Sequence, residues 1–430
     1  MELFEIIGKT KLNGEVYING AKNAAVAIIP AAIATGGICK IENVPDIEDV
    51  ENLKTAITKL GAVCERPDPH TLIIDSSKIS SHIVDYNSVK KIRASYYMLG
   101  ALLTRYKKAE VPLPGGCNFG ERPIDQHIKG FEALGATVKI EHGMVKAYAD
   151  NLRGASIYLD KVSVGSTINI MLAAVCAKGV TTIENAAKEP HIVDTANFLN
   201  MMGANIKGAG TEIIKILGVE KLHGCEYTII PDQIEAGTYM IAAAVAGGDV
   251  TVQNIIPKHM DTLSIKLREM GGIVEEGDDF LRVISDGNLK NVEVKTMSYP
   301  GFPTDLQPQM TALMAASSGM GNITETVWEN RFQYVTELKR LGCKITVDGR
   351  VARIEGGAKL TGAEVHATDL RAGASLIIAA LACEGKTTIG NVRYINRGYE
   401  AIEEKLGALG ADIKRVFIDD SDERYSEEMN

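Results

Sequence analysis

The sequence predicts an α/β protein of two domains, each built from three copies of one repeat that combines strands with a surface helix and a buried helix. Three observations lead there: a sixfold internal repeat, a helix in each copy that is apolar on nearly every side, and a length of 430 residues, long for one hydrophobic core. The endings KLGA, ALGA, MMGA, EMGG, RLGC and ALGA place their first glycines at Gly61, Gly135, Gly203, Gly271, Gly342 and Gly410. Successive copies are therefore offset by 74, 68, 68, 71 and 68 residues, longer than the usual solenoid repeats.

Each ending closes an amphipathic helix. In the first copy Ile47, Val50, Leu53, Ile57 and Leu60 recur at helical spacing, with Glu48, Glu51, Lys54 and Lys59 on the other faces. The glycine supplies a left-handed C-terminal cap. Alternating segments such as ATVKIE, CKITVD and ADIKRV then read as strands, often followed by another such as TLIID or EIIKIL. The second helix of each copy differs. AKNAAVAIIPAAIATGG, RASYYMLGALLTRY, VGSTINIMLAAVCAKG, EAGTYMIAAAVAGG, DLQPQMTALMAASSG and RAGASLIIAALACEG carry no polar stripe, which places them inside a core. Six copies divide naturally into two domains of three with a cleft between them.

Composition narrows the function. A net charge of −9 disfavours nucleic acid and anionic membranes as main partners, so an anionic small ligand needs a local cluster of Lys and Arg. No apolar run reaches the roughly 18 to 20 residues that span a bilayer. The opening MELFEIIGKTKLNGEV does not resemble a secretory signal, and a cytoplasmic location is expected. Seven cysteines without a C-x-x-C pair argue against a disulfide framework and against zinc. No phosphate loop of the G-x-x-x-x-G-K-[ST] type and no metal-ligand cluster appears, so neither cofactor nor metal is expected.

Chemistry collects where the buried helices begin: Lys22 and Asn23, Arg93, the run Lys161 to Thr167, Glu235, Asp305 and Arg371. Helix N-termini present unpaired N–H groups and the positive end of the dipole, and so favour anions. Capping and surface charge account for any one of these residues; as a set at equivalent points they suggest more. Arg122 and Arg397 each lie 13 residues before the glycine of their own copy, a pair suited to phosphate or carboxylate. Cys117 lies 18 residues before Gly135, as Asn43 and Asn185 lie 18 before Gly61 and Gly203. It follows PLPGG with Arg122 nearby, a setting in which thiols become reactive, whereas the other six cysteines read as packing residues. His127 reads as a satisfied, partly buried histidine rather than a partner for Cys117.

These motifs carry a resemblance. LNGEVYINGAKNAA, LPGGC followed by RPIDQH, KVSVGST, IENAAKEPHIVDTANFL, FPTDLQPQ, ETVWENRF, DLRAGASL and INRGYEAIEEKLGALGA are similar to the UDP-N-acetylglucosamine 1-carboxyvinyltransferase family, from about residue 5 to 415. The resemblance implies an enolpyruvyl transferase-like, two-domain inverse α/β barrel. Domain 22–230 would hold copies 1 to 3, and residues 1–21 with 231–430 copies 4 to 6. It implies transfer of the enolpyruvyl group of phosphoenolpyruvate to the 3′-hydroxyl of UDP-N-acetylglucosamine by addition and elimination, with release of phosphate. That reaction is the first committed step of peptidoglycan synthesis, on which the bacterial cell wall, cell shape and division depend.

Residue by residue, the resemblance assigns Lys22, Arg122 and Arg397 to phosphoenolpyruvate, with Asn23 beside them. Arg93, Arg122, Pro123, Ile124, Asp125 and Gln126, together with Lys161, Ser163, Val164 and Gly165, match positions around the UDP-sugar. Asp305 and Val327 match further sugar-nucleotide contacts, and Arg331 and Arg371 belong to the same substrate-binding motifs. Asp305 suits a base. Cys117 matches a proton donor that also forms a covalent phosphoenolpyruvate adduct and is alkylated by the epoxide phosphonate fosfomycin. A donor must be a thiol and an adduct needs a thiolate, and the residues leave that choice open. The loop 113–121 would close when sugar nucleotide binds. Gln126 stands where the family usually has Leu, and Trp328 where it has Phe. A shikimate-branch enolpyruvyl transferase lacks the PGGC…RP loop, and a non-catalytic sugar-nucleotide scaffold has no need to keep Cys117, Asp305, Arg397 and Lys22 together.

Overall fold

A computed structural model describes residues 2–89, 93–113 and 124–418, with the backbone of Arg93. All six repeat glycines lie in the left-handed region that the cap requires, with φ of 110°, 91°, 96°, 106°, 92° and 103° in chain order. The helices they follow run Glu48–Lys59, Asp125–Ala133, Pro190–Met201, Asp261–Met270, Val335–Arg340 and Ile402–Ala408. In the first, Ile47, Val50, Leu53, Ile57 and Leu60 are all buried, as their spacing requires.

The apolar helices run Lys22–Ala32, Tyr97–Tyr106, Val164–Ala174, Gln233–Ala246, Gln307–Ala316 and Leu370–Ala382. From Ala24 to Ala32, from Ser166 to Ala174 and from Arg371 to Ala382 every residue is buried. The chain divides into two compact units, Asn19–Pro231 (the first unit) and Met1–Ile18 with Asp232–Asn430 (the second). Each has its own core, one from Ala21 to Ile229 and one that includes Phe4, Leu12 and the stretch Ile234–Ile413. Each holds three of the apolar helices and three sheets; five of the six sheets described have four strands and one has three.

The five four-stranded sheets are mixed, and the three-stranded one is antiparallel throughout. Ser156–Tyr158 lies parallel to Val180–Glu184 with the helix Val164–Ala174 between them in sequence. The same crossover joins Glu293–Lys295 to Met320–Thr324 and Glu364–His366 to Lys386–Gly390. Two further parallel pairs are made by distant segments: Glu226–Thr228 beside Ile38–Glu42, and Leu12–Tyr17 beside Gly248–Gln253. Glu2–Ile7 also joins the second unit, between Lys386–Gly390 and Asp412–Phe417.

The residue after the strand that precedes each surface helix is an asparagine in four repeats, Asn43, Asn185, Asn254 and Asn391, with φ of 55–59°. Asparagine tolerates this left-handed backbone better than most side chains. The Nδ2 groups of Asn43, Asn185 and Asn254 donate to the carbonyls of Ile229, Leu159 and Ile18, at 2.9, 2.8 and 2.7 Å. Each carbonyl lies just beyond the neighbouring parallel strand, so the asparagine ties the two strand ends together. In the second repeat Leu113 follows the strand, and in the fifth Glu325 does.

The end of the first unit is tied down by a buried carboxyl. Asp194, on Pro190–Met201, accepts the Tyr227 hydroxyl at 2.5 Å and the Ile230 N–H at 3.4 Å. Burial pushes it up to about 6, although both hydrogen bonds hold it down. Two of the six packing cysteines sit slightly off the expected helices: Cys176 and Cys383 lie just past helix ends, Cys383 at the C-cap position. Cys39 and Cys225 lie on neighbouring strand segments, where Lys40 N–H donates to the Cys225 carbonyl at 2.9 Å.

Candidate active site

Cys117, Arg122, Pro123 and the loop 114–121 lie outside the described residues, as does the side chain of Arg93, whose backbone opens a short 3₁₀ turn, Arg93–Tyr96. The remaining candidate residues fall into two groups, one in each unit.

In the first unit Lys22 is the first residue of its helix, which begins without a side-chain cap, and Asn23 is the second. The Lys22 ammonium lies 3.0 Å from Asp49, a nearly fully buried carboxylate in the first turn of Glu48–Lys59. Such a partner fixes the long lysine stem, and sequence reading alone had not paired the two. Ile124 occupies the N-cap position of Asp125–Ala133. Gln126 bridges two candidate segments: its Nε2 donates to Asp125 at 3.0 Å and to Asp160 at 3.1 Å, and its Oε1 accepts the Asp160 N–H at 2.8 Å. A leucine at this position could make none of these bonds, so the departure from the family pattern is a polar clamp on the run that begins at Lys161.

Lys161 is exposed, and Ser163 caps the helix Val164–Ala174, its hydroxyl accepting the Ser166 N–H at 3.2 Å. Gly165 sits in the first turn under close constraint. A methyl group there would lie 2.8 Å from the Tyr96 hydroxyl and 3.2 Å from the His127 ring. His127 is buried and satisfied, as its position among Ile124, Ile128 and Phe131 suggested. Its Nδ1 accepts from Asn169 Nδ2 at 3.1 Å, which puts the ring proton on Nε2, the atom facing Gly165. Burial pulls His127 down to about 4, so the ring is neutral near pH 7 and presents an N–H at the helix start.

In the second unit Asp305 lies in the 3₁₀ turn Thr304–Leu306, which runs into Gln307–Ala316. Arg371 is the second residue of a helix capped by Asp369, whose carboxylate accepts the Arg371 and Ala372 N–H groups at 2.9 and 3.2 Å. The Arg371 guanidinium reaches Asp305 at 2.9 Å and lies over the Tyr399 ring at 5.6 Å. Arg331, also buried, stands 3.7 Å from the other Asp305 oxygen. Burial alone would pull Arg371 down, yet the charge of Asp305 holds it above its ordinary value. Arg397 lies in the turn two residues before Tyr399, whose hydroxyl bonds to Thr238 at 2.8 Å and to Gln309 at 3.1 Å.

Val327 is exposed on a turn shaped by Glu325. Glu325 is wholly buried; its Oε1 accepts the Val327 and Trp328 N–H groups at 2.8 and 3.0 Å, and its Oε2 accepts the Thr304 hydroxyl at 2.9 Å. Among the described residues no group of three or more His, Cys, Asp or Glu could hold a metal ion, and no helix is long and apolar enough to cross a membrane.

Comparison with known proteins gives consistent matches. The family described as EPSP synthase (3-phosphoshikimate 1-carboxyvinyltransferase) matches residues 6–406. The chain is 58% identical over 416 residues to UDP-N-acetylglucosamine 1-carboxyvinyltransferase 3 of Caldanaerobacter subterraneus subsp. tengcongensis, covering 97% of this chain and 100% of that one. It is 52% identical over 423 residues to UDP-N-acetylglucosamine 1-carboxyvinyltransferase 2 of Bacillus subtilis, covering 98% of each. Among solved structures, the enolpyruvyl transferase NikO of Streptomyces tendae superposes with a TM-score of 0.87 at 30% identity, over 97% of this chain and 99% of that one. EPSP synthase of Acinetobacter baumannii superposes with a TM-score of 0.74 at 21% identity, over 97% and 100%, a likeness of fold.

Proposed function

The chain belongs to the EPSP synthase family of enolpyruvyl transferases, and on that premise we propose that it transfers the enolpyruvyl group of phosphoenolpyruvate to the 3′-hydroxyl of UDP-N-acetylglucosamine. The observation that carries this reading is 52–58% identity, from end to end, with carboxyvinyltransferases named for that acceptor. The likeness to a shikimate-branch enzyme is one of fold, at 21% identity. The reaction supplies peptidoglycan synthesis, and its substrates are small molecules made in the cytoplasm, where we place the enzyme.

The proposed chemistry runs in two steps. The acceptor oxygen adds to C2 of the enol while a proton adds to C3, and the acceptor hydroxyl gives up its own proton. Loss of a proton from the new methyl group then expels phosphate and restores the double bond. In the proposal Lys22, Arg122 and Arg397, with Asn23, hold the phosphate and carboxylate of phosphoenolpyruvate. Asp49 keeps Lys22 in position at 3.0 Å. Asp305 takes the proton, from the acceptor hydroxyl or from the methyl carbon, and is held for that task by Arg371 and Arg331. Arg93, Arg122 to Gln126, Lys161 and Ser163 to Gly165 bind the sugar nucleotide with Val327. The Gln126–Asp160 bonds and the neutral His127 N–H support the part of this set that lies in the first unit. Cys117 gives the proton to C3, and as a thiolate it would form the covalent adduct instead. We further propose that domain 22–230 and the remainder of the chain supply these groups jointly.

Phosphate release from phosphoenolpyruvate, measured with UDP-N-acetylglucosamine and separately with shikimate 3-phosphate, tests the assignment. Release is expected with the first acceptor alone; release with only the second would overturn it.

A further inference from the structure

One carboxylate stands out from the pattern of the repeats. Where Asn43, Asn185, Asn254 and Asn391 occupy the turn after the strand, the fifth repeat has Glu325. The polarity of the contact is reversed. Three of those asparagines donate to a strand-end carbonyl, whereas Glu325 accepts three hydrogen bonds and donates none. An asparagine would serve a purely structural turn here as it does elsewhere. A wholly buried carboxylate is costly to desolvate unless its oxygens are hydrogen-bonded, as both of these are.

What Glu325 joins gives the substitution its meaning. One oxygen fixes the backbone of Val327 and Trp328, and the other fixes the hydroxyl of Thr304, the residue before Asp305. The Thr304 carbonyl in turn accepts from Arg331 at 3.5 Å, the same guanidinium that faces Asp305. The turn is anchored independently through Thr326, whose N–H donates to the Thr296 hydroxyl at 2.9 Å and whose own hydroxyl donates to the Thr296 carbonyl. The segment therefore keeps its anchor at Thr326 when the Glu325 side chain is removed. Its contacts act on where the Val327 backbone stands and on how Asp305 is presented.

We propose that Glu325 is a positioning residue for the reaction, one buried carboxylate that sets the Val327–Trp328 wall of the sugar-nucleotide site and the orientation of the Asp305 base together. The inference rests on the function proposed above and deepens it. Glu325→Ala removes both effects. Glu325→Gln keeps them, because the amide oxygen accepts the two N–H groups and the amide nitrogen donates to the Thr304 oxygen. Thr304→Val cuts only the link to Asp305.

The full-length wild type and the three variants are compared for kcat and for KM toward each substrate, with thermal melting to give the folded fraction. For Glu325→Ala the expected result is a rise of about tenfold or more in KM for UDP-N-acetylglucosamine and a similar fall in kcat, with KM for phosphoenolpyruvate within about threefold. Glu325→Gln should stay within about threefold of wild type in every constant. If alanine leaves an unfolded chain, Thr304→Val decides alone: kcat falls by a larger factor than KM for the sugar nucleotide rises. An unaltered sugar-nucleotide KM in folded Glu325→Ala overturns the proposal, as does a Gln variant as damaged as the Ala variant, or an unaltered kcat in Thr304→Val. A wild-type enzyme inert toward UDP-N-acetylglucosamine would overturn the underlying function, and is seen before any variant is compared.

Discussion

Lowering the pH from 7 to 5 acts on the first unit through two buried groups that pull in opposite directions. His127 titrates at about 4 in the folded chain, against an ordinary value of 6.5. Between those values the unfolded chain binds the extra proton, so this contribution is full above pH 6.5 and is lost as the pH falls toward 4. Asp194 titrates at about 6 against an ordinary 3.8, so the folded chain binds the extra proton and stability is gained as the pH falls through 6. From pH 7 to pH 5, linkage gives a loss of roughly 2 kcal/mol through His127 and a gain of roughly 1 kcal/mol through Asp194. The two contributions therefore largely offset each other in the wild-type unit. Asp194→Asn should uncover the full loss and His127→Asn should reverse its sign. Urea unfolding at pH 7, 6 and 5, followed by far-UV circular dichroism, reads the slope for each chain. The single tryptophan, Trp328, reports separately on the second unit by fluorescence and serves as an internal reference. The same pH slope in all three chains would refute the reasoning.

Three other outcomes are expected. Asp305→Ala should lower the stability of the second unit by about 2–3 kcal/mol, because it leaves the buried Arg371 without its partner, and adding Arg371→Met should restore part of that loss in urea unfolding. Gly165→Ala gains about 1 kcal/mol of helix propensity but forces a methyl group against the Tyr96 hydroxyl, a clash worth about 1–3 kcal/mol. Its melting temperature should fall by no more than roughly 8 °C while KM for UDP-N-acetylglucosamine rises several-fold, as steady-state kinetics will read. Cys117→Ser should impair turnover strongly and abolish fosfomycin labelling of the loop peptide, which mass spectrometry detects directly.

The parts of the fold that were legible are those written locally. The glycines at 61, 135, 203, 271, 342 and 410 announce a left-handed cap, and the apolar helices announce burial, because each signal needs only a few neighbouring residues. The partners of the shortest strands were not legible. Glu226–Thr228 has three residues, and nothing in them names Ile38–Glu42 as the neighbour. The site divides in the same way. Lys22 and Asp305 could be read as polar residues opening helices, but Asp49 reads as an ordinary acidic residue in the first turn of a surface helix until the fold brings it to Lys22. Glu325 gave one overlooked signal: it fills a position that four sister repeats give to asparagine, and a comparison of repeats against each other would have found it.

The strand pairings of the first 18 residues have a consequence for how the chain is made. Glu2–Ile7 and Leu12–Tyr17 are synthesised long before their partners, which are Gly248–Gln253, Lys386–Gly390 and Asp412–Phe417. At about 5–20 residues per second, the second of these two strands waits roughly 10 to 50 s for its neighbour, and the first waits longer. The first unit closes its own sheet when Glu226–Thr228 reaches Ile38–Glu42, a somewhat shorter wait of roughly 10 to 40 s at the same rate. Synthesis therefore delivers every strand of the first unit before the second can complete its sheets, with Glu2–Ile7 and Leu12–Tyr17 waiting until then. Until its partners are made, Glu2–Ile7, with Leu3, Phe4, Ile6 and Ile7, is open to premature pairing with another copy, and a chaperone would have reason to cover it.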